Sequence, residues 1–474
     1  MPPPPAGARS RLEKREPDDR PAQRGEPNCE ASRGDPSSQR VLTEGWAPSR
    51  TSDRAIEQGE AVLSRVIWVS LLSLAVSGLA ISQALAEPAP SYADLLRNAR
   101  LTAPRLVESG ANVGVAKGEA VQARVRPNPV VELGVEDIGV HDPSGLSRQQ
   151  TTLSVGQTLE FGGKRQARIS ASGAEVGAAQ ARQQKVLVDF AYDLAIAYAA
   201  AEAAQKRTQL FEDDLGRARE DLRAARALVD AGKEADLRAV QAHAATTAAD
   251  AELQAARADL GEALASLSIL VGAPQAFTGV QSSLLDRAES LKPPAADTLQ
   301  RAPGVLVAEA ERRAAALRVE VERARGAPDV TLSVGARRYG GEDDTGLVAG
   351  VSVPLPLFDR NRGSVSAAVA QLAAADARLN GAQLEADTGR RVAASQIVAS
   401  DARLTAALQS ASAAREAYDL ARVGYDGGKA PLIELLNARR AITDAEARLL
   451  DARSARIRAE AALARLSGRV GIGE

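Results

Sequence analysis

The sequence is poor in the residues that build reactive or stapled sites. It holds one cysteine, Cys29, which excludes an intramolecular disulfide framework and a thiolate metal cluster. Its two histidines, His141 and His243, are too few for a multi-histidine metal site. Aromatic residues make up 3% of the chain, little material for a large conventional globular core. Lys+Arg (59) and Asp+Glu (61) nearly cancel to a formal charge of −2, which gives no electrostatic reason to expect a nucleic-acid partner. No P-loop is present, so the chain does not power transport itself, and no Gly-x-Ser-x-Gly elbow follows residue 86. These absences point away from an enzyme, and no cofactor, metal or catalytic residue is expected.

What is present is alanine, arginine, leucine and glutamate/glutamine in long stretches, the composition of long packed helices. The 474 residues have room for two to four ordinary domains. Residues 1–64 read as disordered or wrongly assigned to the chain, because nine of the 23 prolines fall in the first 50 residues and apolar periodicity is absent. Arg65, the apolar run Val66–Ala80 and the Ala84-Leu85-Ala86 site form a secretory signal peptide over 65–86. Its apolar run is short for a membrane-spanning helix, which needs about 20 residues. Met1 is the only methionine, and a signal peptide rarely follows so long an extension, so translation is expected to start near Val62. Cys29 precedes the signal and cannot carry a lipid on the mature chain.

The mature chain repeats itself at a spacing close to 200 residues. Pro127-Asn-Pro129-Val-Val-Glu-Leu-Gly matches Ala327-Pro328-Asp-Val-Thr-Leu-Ser-Val-Gly335. Gln157-Thr-Leu-Glu-Phe161-Gly-Gly-Lys-Arg165 matches Pro354-Leu-Pro-Leu-Phe358-Asp-Arg-Asn-Arg362, and Arg226…Gly232-Lys233 matches Arg422…Gly428-Lys429. The period is too long for a solenoid unit, so it marks a duplicated half-protein. The first repeat spans 87–272, a linker 273–303, and the second repeat 304–474. Each repeat holds a moderate helix (about 104–126 and 304–326) and two strand-like segments (129–139 with 149–161; 328–339 with 346–358). A very long helix (164–230 and 363–426) and a last helix (234–271 and 431–467) follow. At 1.5 Å per residue the long helix spans roughly 100 Å, and the two shorter ones laid end to end match it.

The last helices carry heptads in which Ala alternates with a larger residue, as in Leu435, Ala438, Ile442, Ala445, Leu449, Ala452, and in Ala249, Leu253, Ala256, Leu260. In the strand segments Thr331, Ser333, Gly335 and Arg337 alternate with Val330, Leu332, Val334 and Ala336, a pattern suited to a transmembrane barrel. Four strands cannot close a barrel, since about eight is the usual minimum, so oligomerisation is implied. Phe161, Tyr339 and Phe358 supply a thin aromatic girdle.

Over about residues 91–468 this plan resembles the TolC family of outer-membrane efflux proteins. The segments 157–165 and Val353-Pro-Leu-Pro-Leu-Phe-Asp-Arg-Asn-Arg-Gly363 resemble the CzcC-like branch that serves heavy-metal efflux. The resemblance implies a mainly α fold with membrane β: a homotrimer with a twelve-stranded outer-membrane barrel and a periplasmic α-barrel. Residues 91–103 and 272–303 would lie in a belt around its middle. The implied partners are outer-membrane lipid, a periplasmic adaptor and, through it, an inner-membrane proton-driven pump of the RND type. The implied function is a passive exit duct for heavy-metal cations. Drugs, dyes or a secreted protein are the alternative cargoes, and a periplasmic coiled-coil adaptor or scaffold is the rival class. An adaptor would show a lipoyl-like β-domain around one helical hairpin, whereas this chain shows two hairpins.

On the same resemblance the two Gly-Lys turns lie at the periplasmic tip. Asp230 and Asp426 precede Gly232-Lys233 and Gly428-Lys429, and rings of carboxylates at an aperture concentrate cations. Arg226 and Arg422, one turn earlier, are candidates to tie neighbouring helices by ion pairs. Tyr425, present only in the second copy, distinguishes the turns. Ordinary helix C-terminal chemistry accounts for the same residues. His141 and Asp142 fall in one hairpin loop, and Glu342, Asp343 and Asp344 form an acidic patch in the other that keeps it hydrated or attracts cations. His243 reads as a helix-surface residue.

Overall fold

The computed structural model describes residues 87–291, 301–341 and 344–472. The N-terminal extension, the signal peptide, Cys29, residues 292–300 of the linker, and Glu342 and Asp343 lie outside the described residues. The elements are α1 (Tyr92–Thr102), α2 (Pro104–Gln122), β1 (Val130–Glu136), β2 (Gln150–Leu159), α3 (Lys164–Asp230), α4 (Asp236–Val271), α5 (Pro303–Arg325), β3 (Val330–Tyr339), β4 (Thr345–Ser352), α6 (Arg362–Asp426) and α7 (Leu432–Leu466). A 3₁₀ turn covers Leu285–Glu289. The order helix, strand, strand, long helix, helix therefore occurs twice.

Both long helices end as expected, but the strands are shorter than the alternation indicates. β1 stops at Glu136 because Asp137 adopts a left-handed φ of 55°. β4 stops at Ser352 because Pro354 and Pro356 remove the ladder donors that follow. α1 is an element that periodicity does not mark. Ser91 caps it by accepting from Asp94 N at 3.2 Å, and Tyr92, Leu95, Leu96 and Ala99 are buried.

The strands form one antiparallel sheet in the order β1-β2-β3-β4. Directly paired residues share a face, so the register sorts the side chains without exception in the middle of the sheet. Leu133, Leu153, Ala336 and Leu347 line one face, and Gly134, Thr152, Arg337 and Gly346 the other.

The helices continue this four-column order. On the sheet side of the middle the neighbours run α2-α3-α5-α6, and on the far side α4-α3-α7-α6. Each strand is joined to the helix of its own column: α2 runs into β1, β2 into α3, α5 into β3 and β4 into α6. So α2 and α4 lie along the two halves of α3. Val113 and Ala116 of α2 pack on Ala179, and Ala249 and Leu253 of α4 pack on Leu215 and Ala218. The heptad seam does this packing. In α7, Leu435, Ile442, Ala445, Leu449, Arg456, Ala459 and Leu463 are all buried. Among the described residues the sheet and both helix rows are open at the same two edges, β1/α2/α4 and β4/α6.

The turns from sheet to long helix need left-handed residues. Gly162 and Gly163 serve β2–α3 at φ 71° and 74°, and a Cβ on Gly162 would come within 2.3 Å of Ala327 Cβ. Asn361 serves β4–α6 at φ 56°, with its amide donating to Glu322 O at 2.7 Å.

The largest buried cluster surrounds the middle of α3. Ala89 bridges Val280, the Tyr198 hydroxyl donates to Ser282 O at 2.8 Å, and Glu202 accepts from the backbone N–H groups of Leu284 and Leu285 at 2.7 and 3.0 Å. Residues 87–103 and 278–291 are thereby fastened around the waist of the long helix.

Candidate functional site

The two Gly-Lys turns are copies of one geometry. Lys233 N–H reaches back to Leu228 O (2.9 Å) and Gly232 N–H to Val229 O (2.9 Å), with Gly232 at φ 65°. Lys429 N–H reaches Gly424 O (2.8 Å) and Gly428 N–H reaches Tyr425 O (2.9 Å), with Gly428 at φ 67°. Each is a Schellman motif that satisfies the last carbonyls of a long helix and needs a residue free to turn left-handed. Asp230, Lys233, Asp426, Lys429 and Arg226 are exposed around these turns. The turns are neighbours in space. Burial pushes the half-buried Tyr425 hydroxyl above its usual range, and Glu234 beyond the first turn pushes it in the same direction.

The expected inter-helix tie is present at one of its two places. Arg422 of α6 lies 3.5 Å from Glu220 of α3, an exposed pair of small energetic weight. Arg226 remains exposed without such a partner among the described residues.

A second charged group lies just above the tip, and sequence reasoning alone misses it. Arg439 of α7 is 2% exposed and faces two carboxylates of α3. Its Nε is 3.6 Å from Asp214 Oδ1 and its Nη1 3.7 Å from Asp221 Oδ2. Thr443 donates its hydroxyl to Asp214 at 3.0 Å. Arg217 stands over the Tyr418 ring at 5.4 Å. Asp214, Arg217 and Asp221 follow at i, i+3 and i+7, one helical stripe that in so charged a helix is indistinguishable from a solvated face. Only the presence of α7 opposite it, more than 200 residues later in the chain, makes it interior.

At the other end the sheet offers an exposed apolar face: Leu133, Leu153, Val334, Leu347 and Val351 are 54–83% exposed. Such a face, running across all four strands, marks a surface made for something other than water. The opposite face carries Glu136, Gln150, Thr152 and Arg337, with Arg337 donating to Thr152 and Gln150 at 2.9 Å each. Phe161, Tyr339 and Phe358 are exposed near the strand ends.

The hairpin loops are self-contained. Asp142 accepts from the Ser144 hydroxyl (2.6 Å) and from Ser144 and Leu146 N–H (2.9 Å each), which holds its carboxyl below the usual range. Exposed His141 points Nδ1 at Gly139 O, 3.1 Å away. Asp344 is exposed, and His243 is exposed on α4. Among the described residues no group of three His, Cys, Asp or Glu side chains is placed to hold a metal ion, and no helix is long and apolar enough to cross a membrane.

Residues 95–273 and 295–469 each match the sequence profile of the family described as "Outer membrane efflux protein". The chain belongs to that family. Among its relatives, the nickel-cobalt-cadmium resistance protein NccC of Alcaligenes xylosoxydans xylosoxydans is 45% identical over 408 residues, covering 86% of this chain and 92% of the relative. The nickel and cobalt resistance protein CnrC of Cupriavidus metallidurans is 46% identical over 396 residues, covering 84% and 94%. Crystal structures of CusC, described in terms of folding and transmembrane channel formation, share the fold at a TM-score of 0.67 and 18% identity, covering 81% of this chain and 92% of that one.

Proposed function

We propose that three copies of this chain close edge to edge into an exit duct. Their twelve strands would form one outer-membrane barrel, and their helices a tunnel through the periplasm. The observation that carries this reading is the shared pair of open edges. A sheet edge is a row of unpaired donors and acceptors, and here the edges β1/α2/α4 and β4/α6 are different surfaces. A head-to-tail contact between them is heterologous and closes into a ring by rotation. The repeated element order supports an origin by duplication of one half. Export depends on the signal peptide at 65–86, and anchoring rests on the barrel without a lipid.

The duct carries heavy-metal cations. Support comes from the names of the relatives, nickel-cobalt-cadmium and nickel-cobalt resistance proteins. The two turns, with Arg226, Asp230, Gly232, Lys233, Arg422, Tyr425, Asp426, Gly428 and Lys429, form the periplasmic aperture and the place where an adaptor hairpin docks. An RND-type pump supplies the energy through that adaptor. Six carboxylates around the aperture would raise the local cation concentration.

A deletion strain grown across Ni²⁺, Co²⁺, Cd²⁺, Zn²⁺ and a panel of drugs and dyes tests the cargo. Selective metal sensitivity, rescued by the gene from Val62 onward, is expected. Sensitivity to drugs alone would overturn the cargo but leave the duct. Trimer-sized, heat-modifiable migration of the protein from outer-membrane extracts is the matching test of assembly, and a monomer in the soluble fraction would refute it.

A further inference from the structure

The charged group above the tip is short of hydrogen bonds. Asp221 is 8% exposed, Asp214 9% and Arg439 2%. Asp214 has the Thr443 hydroxyl and the nearer approach of Arg439. Among the described residues Arg439 approaches Asp221 at 3.7 Å, Arg422 acts on it from farther off, and its Oδ2 has no hydrogen-bond partner; neither do Nε and Nη1 of Arg439 or Nη1 of Arg217. One guanidinium thus faces two buried carboxylates, and an unsatisfied buried charge is costly. A proton is the smallest ligand that removes the unsatisfied charge on Asp221.

We propose that Asp221 is a proton-binding site that governs the α3–α7 junction, which tightens when the proton is taken up and loosens when it is lost. Asp221 lies nine residues from Asp230, about 13 Å above the turn. Around that level α3 meets the other hairpin through Arg439 and Thr443 of α7 and Tyr418 and Arg422 of α6. The charged and titratable groups around Asp221 are Asp214, Arg217 and Glu220 on its own helix, Tyr418, Arg422 and Tyr425 on α6, and Arg439 on α7. α4 packs there through Ala242 and Ala245. The effect of the junction on the aperture rests on the duct reading.

The sign follows from burial. Burial pushes the Asp221 carboxyl up, Arg439 and Arg422 oppose this, and Asp214 and Glu220 add to the rise. A junction that parts returns Asp221 to water and toward 3.8, its ordinary value. The closed form therefore holds the proton more tightly, so acid favours closure, and this preference is lost as pH rises from 3.8 through the raised value. Each pH unit between the two values is worth about tenfold in the closed-to-open ratio per protomer.

The test is conductance of the purified trimer in planar bilayers between pH about 7.5 and about 4.5. Wild-type conductance should fall by about fivefold or more on acidification. Asp221→Asn, a permanently neutral isostere, should be low throughout and lose the fall. Asp230→Asn/Asp426→Asn, which removes the aperture carboxylates, should keep it. Glu220→Gln, on an exposed surface, should move the midpoint to lower pH. An acid-dependent fall that survives Asp221→Asn would overturn the proposal. If Asp221→Asn does not assemble, an unmoved midpoint in Glu220→Gln would do so. Trimers that never conduct would overturn the duct reading instead. Heat resistance then decides the proton site separately: it should rise on acidification in wild type, and a flat response would refute the site.

Discussion

Two groups of buried charge hold this chain together, and they are built to opposite standards. At the waist, Arg456 is fully buried at a heptad position normally given to an apolar residue. It pairs with Asp401, with Glu460 at 3.2 Å, and reaches Leu291 O at 3.4 Å. Nearby, Glu202 is 4% exposed and has four donors: Leu284 N–H, Leu285 N–H, the Ser283 hydroxyl and Lys206. Near the tip, Arg439 and Asp221 are also buried but lack such partners among the described residues. A satisfied network stiffens its surroundings, and an unsatisfied one is poised to change. The difference separates a waist whose buried charges are satisfied from a junction whose charges lack hydrogen bonds.

That comparison breaks most visibly at Glu202. Glu202→Leu would leave two buried N–H groups and Lys206 without their acceptor, and a loss of about 3–5 kcal/mol is expected in thermal unfolding. Arg456→Met takes one of two guanidinium partners from buried Glu460, leaving Arg469 at 3.0 Å, and should cost about 2 kcal/mol in the same assay. Asp221→Asn at neutral pH should have the opposite sign, a gain of up to about 1 kcal/mol, because it removes a charge that burial disfavours. The smallest expected effect tests the turns, where Gly232→Ala and Gly428→Ala should each cost about 1 kcal/mol through their positive φ. Equal costs would confirm that the two turns are energetic copies.

Acidity sharpens the contrast. At the waist, burial pushes Asp189 up, but Lys185 at 2.5 Å and Arg465 at 2.7 Å bring it below its ordinary value. Its contribution is present above pH 3.8 and is lost as pH falls through the lowered value. Asp221 runs the other way. Asp189→Asn should therefore flatten the acid limb of a Tm-against-pH curve, while Asp221→Asn flattens the limb above it. A single coincident shift for both variants would deny the difference between the two regions.

Much of the fold is legible in the amino-acid sequence. The duplicated motifs place the long helices to within a residue or two, since their ends carry Gly, Asn and Lys signals that act locally. The Ala-rich heptads locate the seam because close helix packing demands small residues at fixed spacing. Alternation overextends the strands because it continues past Glu136 and Ser352, where a left-handed Asp137 and two prolines end the ladder. Asp214, Asp221 and Arg439 are hidden for a different reason. Charged residues on a long helix look solvated unless the helix lying against them is known, and that is a fact about chain topology. The tip residues follow from their position in the repeat, and the structure groups the two turns but pairs only one of the two arginines.

The open edges also bear on inheritance. In the closed ring proposed above every wall is finished by a neighbour, so no protomer is complete alone. A cell that makes sound and defective copies in equal amounts would assemble only about one ring in eight from sound copies throughout. A substitution that spares the edges but spoils the tip would thus act on its partners as well as on itself, and its phenotype would be dominant.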